Sequence, residues 1–243
     1  MEPLTEADTE ADTAPDASPD AAPDIAPDAA PVRITALREH PRRKGRYVVE
    51  VDGVAVGAIS IELIAELSLA VGRTIDVSVR ARIAHGARLS ACFDKALATL
   101  ASRARSRADL ARWLKEKEFT PAEIEPALDR LTALGLLDDH TFARGFARSR
   151  LGVARGFGPR RVAAELGRKG VARTTVDAVL SELAADEGGG DEQSAAAAVA
   201  ERRVRGMKNL APEVIQRRLY GFLVRRGFAM GIAADLARRL SRP

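Results

Sequence analysis

Hydrophobic positions recur along this chain at one fixed set of gaps. Leu110, Leu114, Phe119, Ile124 and Leu128 are separated by four, five, five and four residues, and Val162, Leu166, Val171, Val176 and Leu180 repeat those gaps. A gap of four keeps two side chains on one helix face, while the paired gaps of five bracket a turn. Each copy therefore predicts two short helices sharing a buried seam. Between the copies, Gly135-Leu136-Leu137-Asp138-Asp139-His140-Thr141-Phe142-Ala143 reads as a helix stop followed at once by a helix start.

Before these copies the period changes to two. Arg46–Val51 and Val54–Ile59 flank Asp52-Gly53, a strong hairpin signal, and Val32–Leu37 reads as a strand before them. Ser60 should cap a short helix carrying Leu63, Ile64 and Leu67 that stops at Gly72, with a further strand over Thr74–Val79. Ser90–Arg103 then places Phe93, Leu97 and Leu100 on one helical stripe. Ser106 with Asp109 makes an acidic variant of the capping box, and Thr120-Pro121-Ala122-Glu123 a full one. In the second copy Phe142 and Phe146 mark a first helix, Pro159 opens the next, and residues 151–158 form a looser connection. Past Gly188-Gly189-Gly190, Ala195–Met207, Pro212–Arg226 and Gly231–Leu240 supply a third set of helices, whose middle member is four residues longer than its counterpart. Helix-ending Gly170 and Gly227, followed by Val171 and Phe228, have Glu118, followed by Phe119, as their counterpart. Glu there costs roughly 1 kcal/mol if the turn is left-handed.

The expected organisation is mainly α, three tandem three-helix repeats in an elongated array. An acidic, disordered tail over 1–31 and a small α+β hairpin module over 32–86 precede repeats at 87–137, 138–187 and 188–243.

Charge sharpens this picture. Net charge is only +4, yet residues 1–31 hold nine acids and no base, which leaves 38 bases against 25 acids in the rest. That balance favours a polyanionic partner, nucleic acid or an acidic protein surface. The tail reads as a solubility segment or as a mimic of nucleic-acid charge. One cysteine, Cys92, excludes a disulfide framework, and the sequence carries neither a membrane span nor a signal peptide, so a cytoplasmic protein is expected.

Asp138, Asp139 and His140 invite a metal or acid–base reading, but carboxylates at a helix start also satisfy free N–H groups, and capping is the preferred role. Phosphate-binding loop, dinucleotide fingerprint and nucleophile elbow are all missing, so no catalytic, metal or cofactor residue is expected. Trp113 suits packing or stacking on a partner. The informative residues are the bases that leave the apolar stripes intact: Arg144, Arg148, Arg155, Arg160, Arg161, Arg168 and Lys169 in the second repeat, and Arg217, Arg218, Arg225 and Arg226 in the third.

Taken together, Arg105-Ser106-Arg107-Ala108-Asp109-Leu110, Gly135-Leu136-Leu137-Asp138-Asp139 with Phe142-Ala143, Gly158 through Val162 with Glu165-Leu166, and Lys169-Gly170-Val171 resemble the RecX family of modulators of the RecA recombinase. The likeness covers about residues 88–240, with Glu118 departing from the family's Gly and the third unit's last turn one residue shorter. It implies a monomer that binds RecA–DNA filaments along their helical groove and lowers ATP hydrolysis, strand exchange and coprotease activity without a cofactor. Contact with single-stranded or duplex DNA is compatible with it. The competing class is a stand-alone DNA-binding protein of helix-turn-helix type.

Overall fold

The computed structural model describes residues 31–151, 156–186, 192–207 and 209–242, in two compact units, residues 1–91 and 92–243. The expected tail and the Gly188–Gly190 linker lie outside the described residues. In the first unit, β1 (Val32–Glu39), β2 (Arg46–Val51), β3 (Val54–Ser60) and β4 (Thr74–Ile75) form an antiparallel sheet of order β3-β2-β1-β4. Asp52 and Gly53 both take positive φ, 48° and 81°, as the tight turn between β2 and β3 requires. Ile34, Val49, Val51, Val56 and Ile59 of the strands are buried and join Leu67, Leu69, Ile75 and Ile83 in one core.

Three local expectations in this region are corrected. Helix α1 (Ile61–Glu66), capped as expected by Ser60 Oγ on the Leu63 N–H, ends well before Gly72: Ser68 takes the left-handed position at φ 49° and Leu69 N–H closes onto Ile64 O. The strand expected over Thr74–Val79 is cut to two residues because Asp76 caps the next helix, its Oδ1 accepting from Val79 N–H at 2.9 Å and Ser78 Oγ at 2.7 Å. Alternation over so few residues fits either structure, and the cap decides it. Helix α2 (Val77–Ser102) thus starts 13 residues ahead of the expected Ser90, and in its second half Cys92 and Ala96 are fully buried while Leu97 is 38% exposed.

The second unit continues with α3 (Arg107–Glu116), α4 (Pro121–Ala133), α5 (Asp139–Arg150), α6 (Pro159–Arg168), α7 (Arg173–Ala185), α8 (Glu192–Val204), a 3-10 turn (Arg205–Met207), α9 (Pro212–Arg225) and α10 (Met230–Ser241). With the end of α2, they make three successive three-helix repeats, the packing pairs falling inside repeats: α3 on α4, α5 and α6 on α7, α8 and α9 on α10. Every residue of the first seam is buried, and in the second only Leu180 is partly exposed. The spacing occurs a third time, at Leu219, Leu223, Phe228, Ala233 and Ala237, all at most 1% exposed. Alanines at the last two positions hid it, because Ala is a weak hydrophobic marker in sequence.

The turn that ends each middle helix is the same object three times. Phe119 N–H bonds Leu114 O at 3.3 Å, Val171 N–H bonds Leu166 O at 3.2 Å, and Phe228 N–H bonds Leu223 O at 3.2 Å. Between donor and acceptor lies a left-handed residue: Glu118 (φ 65°), Gly170 (φ 79°) and Gly227 (φ 87°). This is the six-to-one closure of a helix C-terminus, with the following apolar side chain folded onto the seam.

Candidate functional site

The middle helices are coupled end to end. Ser106, the N-cap of α3, donates its hydroxyl to Lys169 O at 2.5 Å, and Gly158, the N-cap of α6, donates its N–H to Arg226 O at 2.8 Å. Lys169 and Arg226 are the C-caps of α6 and α9, so both junctions use the same carbonyl. The negative end of each helix dipole thereby faces the positive end of the helix in the preceding repeat. Arg160 N–H to Gly227 O at 3.1 Å reinforces the second junction, and Asp139 Oδ1 accepts from Arg107 N–H at 2.7 Å in the first.

These bonds give the acidic motif its role. Asp138 Oδ1 caps α5 on Thr141 N–H at 2.9 Å, Asp139 reaches across to α3, and His140 Nε2 pairs with Glu182 Oε1 at 2.9 Å. Among the described residues no cluster of His, Cys, Asp and Glu could hold a metal. Gly135 (φ 68°) ends α4, Leu137 is buried, and Leu136, 51% exposed, lines an open groove of about 510 Å³ with Leu100, Phe142 and Phe146. The Thr120–Glu123 capping box is complete. The Ser106 box is half made: Ser106 Oγ accepts from Asp109 N–H, but the Asp109 carboxylate pairs with buried Arg105 at 3.1 Å and with Arg112. Arg105 in turn lies over Trp113 at 5.2 Å, which gives that ring a packing role. Arg107 is held by Glu125 at 2.6 Å and Asp129 at 2.8 Å. Partial burial opposes its charge, but these two carboxylates outweigh that and raise its pKa.

The candidate bases fall into two groups. Arg144 pairs with Asp186 at 3.1 Å and Glu182 at 3.7 Å, and Arg148 with Asp186 at 3.0 Å, so both are neutralised inside their own repeat. Arg161 pairs with Glu165 at 3.1 Å, bonds Arg225 O, and lies 4.2 Å above Phe157. Arg226 sits between Phe157 and Phe222, 5.2 and 5.0 Å from their centroids, and its Nη1 donates to Gly156 O at 3.3 Å. Arg203 covers Phe222 at 5.2 Å. Arg161, Phe157, Arg226, Phe222 and Arg203 therefore alternate in one cation–aromatic ladder across the junction of repeats two and three. By contrast, Arg160, Arg168, Arg217, Arg218 and Arg225 have exposed side chains and make no ion pair among the described residues. Lys169, half-buried, lies 5.8 Å from Phe146, and Arg155 is outside the described residues.

The ladder was missed by reading charge alone. Its signal is a spacing: Phe157 to Arg161 and Phe222 to Arg226 are four residues apart, as are Phe146 and Arg150, which stack at 4.8 Å.

Comparison with known proteins agrees with the repeat architecture. Family models described as RecX, first, second and third three-helix domain match residues 92–131, 138–180 and 191–236. A regulatory protein RecX from Mycobacterium sp. (strain KMS) is 40% identical over 143 residues, spanning 58% of this chain and 76% of the relative. The one from Halorhodospira halophila is 41% identical over 143 residues, 59% of this chain and 84% of the relative. A crystal structure of regulatory protein RecX superposes with a TM-score of 0.69 at 22% identity, covering 84% of this chain and 98% of the other. RecX from Lactobacillus salivarius gives a TM-score of 0.55 at 20% identity, covering 63% and 96%.

Proposed function

Because the chain belongs to the RecX family of regulatory proteins, we propose that it binds RecA–DNA filaments and lowers recombinase activity through the basic surface of its second and third repeats. The observation that carries this reading is the set of exposed arginines without acidic partners among the described residues, Arg160, Arg168, Arg217, Arg218 and Arg225, on helices α6 and α9 and at their ends. The end-to-end coupling of α9, α6 and α3 holds those helices as a rigid series, so the bases present a fixed pattern to a repetitive, negatively charged partner. Regulation needs no chemistry from this chain. Tighter binding to one filament state than to another shifts the population toward the preferred state by that difference in affinity.

Charge also weighs against a stand-alone helix-turn-helix reader. The third helix of such a unit would enter the major groove. Here α4 carries three acids and one base and α7 two acids and one base, which opposes approach to phosphates, and α10, with two bases and one acid, is left as the third helix whose charge permits it. The test is DNA-stimulated ATP hydrolysis by the cognate recombinase: inhibition that saturates with this protein supports the reading, and none at saturating concentration rejects it.

A further inference from the structure

The three matched domains end at residue 92 on their N-terminal side, so the sheet unit has no assigned role. From its geometry we propose that the β1–β2 loop is a separate, sequence-independent contact for the phosphodiester backbone of a polynucleotide. Arg42, Arg43 and Lys44 are consecutive and exposed at its tip. The loop that carries them is built rather than slack: His40 N–H bonds Arg46 O at 2.8 Å, Arg46 N–H bonds Arg43 O at 3.2 Å, Arg43 N–H bonds His40 O at 3.3 Å, and His40 Nδ1 accepts from Arg42 N–H at 3.2 Å. Gly45, at φ 73°, supplies the left-handed step. The next base turns the other way, Arg46 being buried and bonded through Nη1 to Ser90 Oγ at 3.0 Å. Arg42 and Lys44, one on each side of Arg43, are thus exposed at the tip of a loop whose backbone is held.

Their electrostatic setting suits a polyanion. Arg42 and Lys44 make no ion pair among the described residues, and the nearest acid in sequence is the single exposed Glu39. Residues 32–91 hold ten Lys and Arg against six Asp and Glu, and Asp52 and Asp76 lie beyond the opposite end of β1 and β2. Beside the loop, a groove of about 130 Å³ is lined by His40, Arg43 and Arg88 together with small apolar residues that include Ala55, Ala58 and Ala87. Alanine side chains offer no donor or acceptor to a base edge, so recognition falls to the loop's exposed charges and the surface is indifferent to sequence. The exposed Arg42 guanidinium matches phosphate oxygens in fork geometry, and Lys44 adds a point charge.

The experiment uses the full chain, with fluorescence anisotropy of labelled oligothymidylate and of a duplex of equal length across a salt series. The double variant R42A/K44A should bind more weakly, and its log–log salt slope should be shallower by about 1.4 on the single strand and about 1.8 on the duplex, for two lost phosphate contacts. The swap R42K/K44R should keep the wild-type slope. A slope unchanged in R42A/K44A on both DNAs, with circular dichroism unaltered, overturns the proposal. So does a wild type that binds neither DNA at low salt, an outcome that leaves recombinase inhibition untouched and so separates this contact from the filament reading.

Discussion

Gly170 stands so close to Ala108 that a Cβ built on the glycine would overlap the alanine Cβ. The same holds one junction later, where a Cβ on Gly227 would run into the backbone and Cβ of Arg161, and one on Gly158 into Gly227 and Phe228. Glycine at these turns therefore answers two demands, a left-handed backbone and room for the preceding repeat. Glu118 answers only the first. Repeat one has no helical repeat before it on which that turn would stack, so a side chain is tolerated at φ 65°.

Gly170→Ala should consequently cost more than the usual left-handed penalty. About 1 kcal/mol for φ is joined by about 1–3 kcal/mol for overpacking against Ala108. Glu118→Gly should act in the opposite sense and stabilise by up to about 1 kcal/mol. Urea unfolding of both variants checks this. Equal losses for Gly170→Ala and Glu118→Ala relative to their glycine forms would contradict the junction argument.

Asp76 gives a pH signature in the sheet unit. Hydrogen bonds from Ser78 Oγ and Val79 N–H hold its carboxyl below its ordinary value of 3.8, so the cap contributes stability above that value that is lost as pH falls through the depressed one. Asp76→Asn keeps a capping oxygen but cannot titrate. Its stability should match wild type less well at neutral pH and should lack this part of the acid limb. Helical content followed by circular dichroism between neutral and acid pH separates the two curves.

How far the fold could be read beforehand depended on how many residues carried each signal. Five seam positions at a fixed spacing identify a repeat even when single residues vary, and Asp52-Gly53 fixes a hairpin because the turn requires positive φ twice. Thr74–Val79 failed because one capping aspartate, Asp76, outweighs an alternation of three β-branched residues, Ile75, Val77 and Val79. The candidate site was legible as charge but not as geometry. As charges Arg226 and Arg218 are alike, yet Arg226 is held between two phenylalanines while Arg218 is exposed; the Phe222–Arg226 spacing signals one of those rings, and only the fold brings in the other, Phe157.

Leu166→Ala, at a fully buried seam position, should destabilise by about 2–5 kcal/mol through the cavity it leaves, and any loss of regulation should track unfolding. It serves as the control against which surface variants are judged.

The sharpest functional prediction separates two classes of arginine that charge alone would pool. Arg217 and Arg218 are exposed on α9 and make no ion pair among the described residues, so R217A/R218A should change stability by no more than about 0.5 kcal/mol per site. Arg226 stacks on two rings and bonds Gly156 O, so Arg226→Ala removes contacts worth about 0.5–1 kcal/mol each and loosens the junction of repeats two and three. If the exposed bases meet the filament, R217A/R218A weakens inhibition of recombinase ATP hydrolysis with an unchanged melting curve, and the deficit shrinks as salt rises because screening removes the same attraction in the wild type. Arg226→Ala should instead lower the melting temperature first, with inhibition falling only as the third repeat loosens. Full inhibition by folded R217A/R218A at every salt concentration would remove α9 from the proposed surface. The remaining exposed bases, Arg160 and Arg168 on α6, would then be the ones to replace, with Arg161 left in place because it holds Glu165 and Phe157.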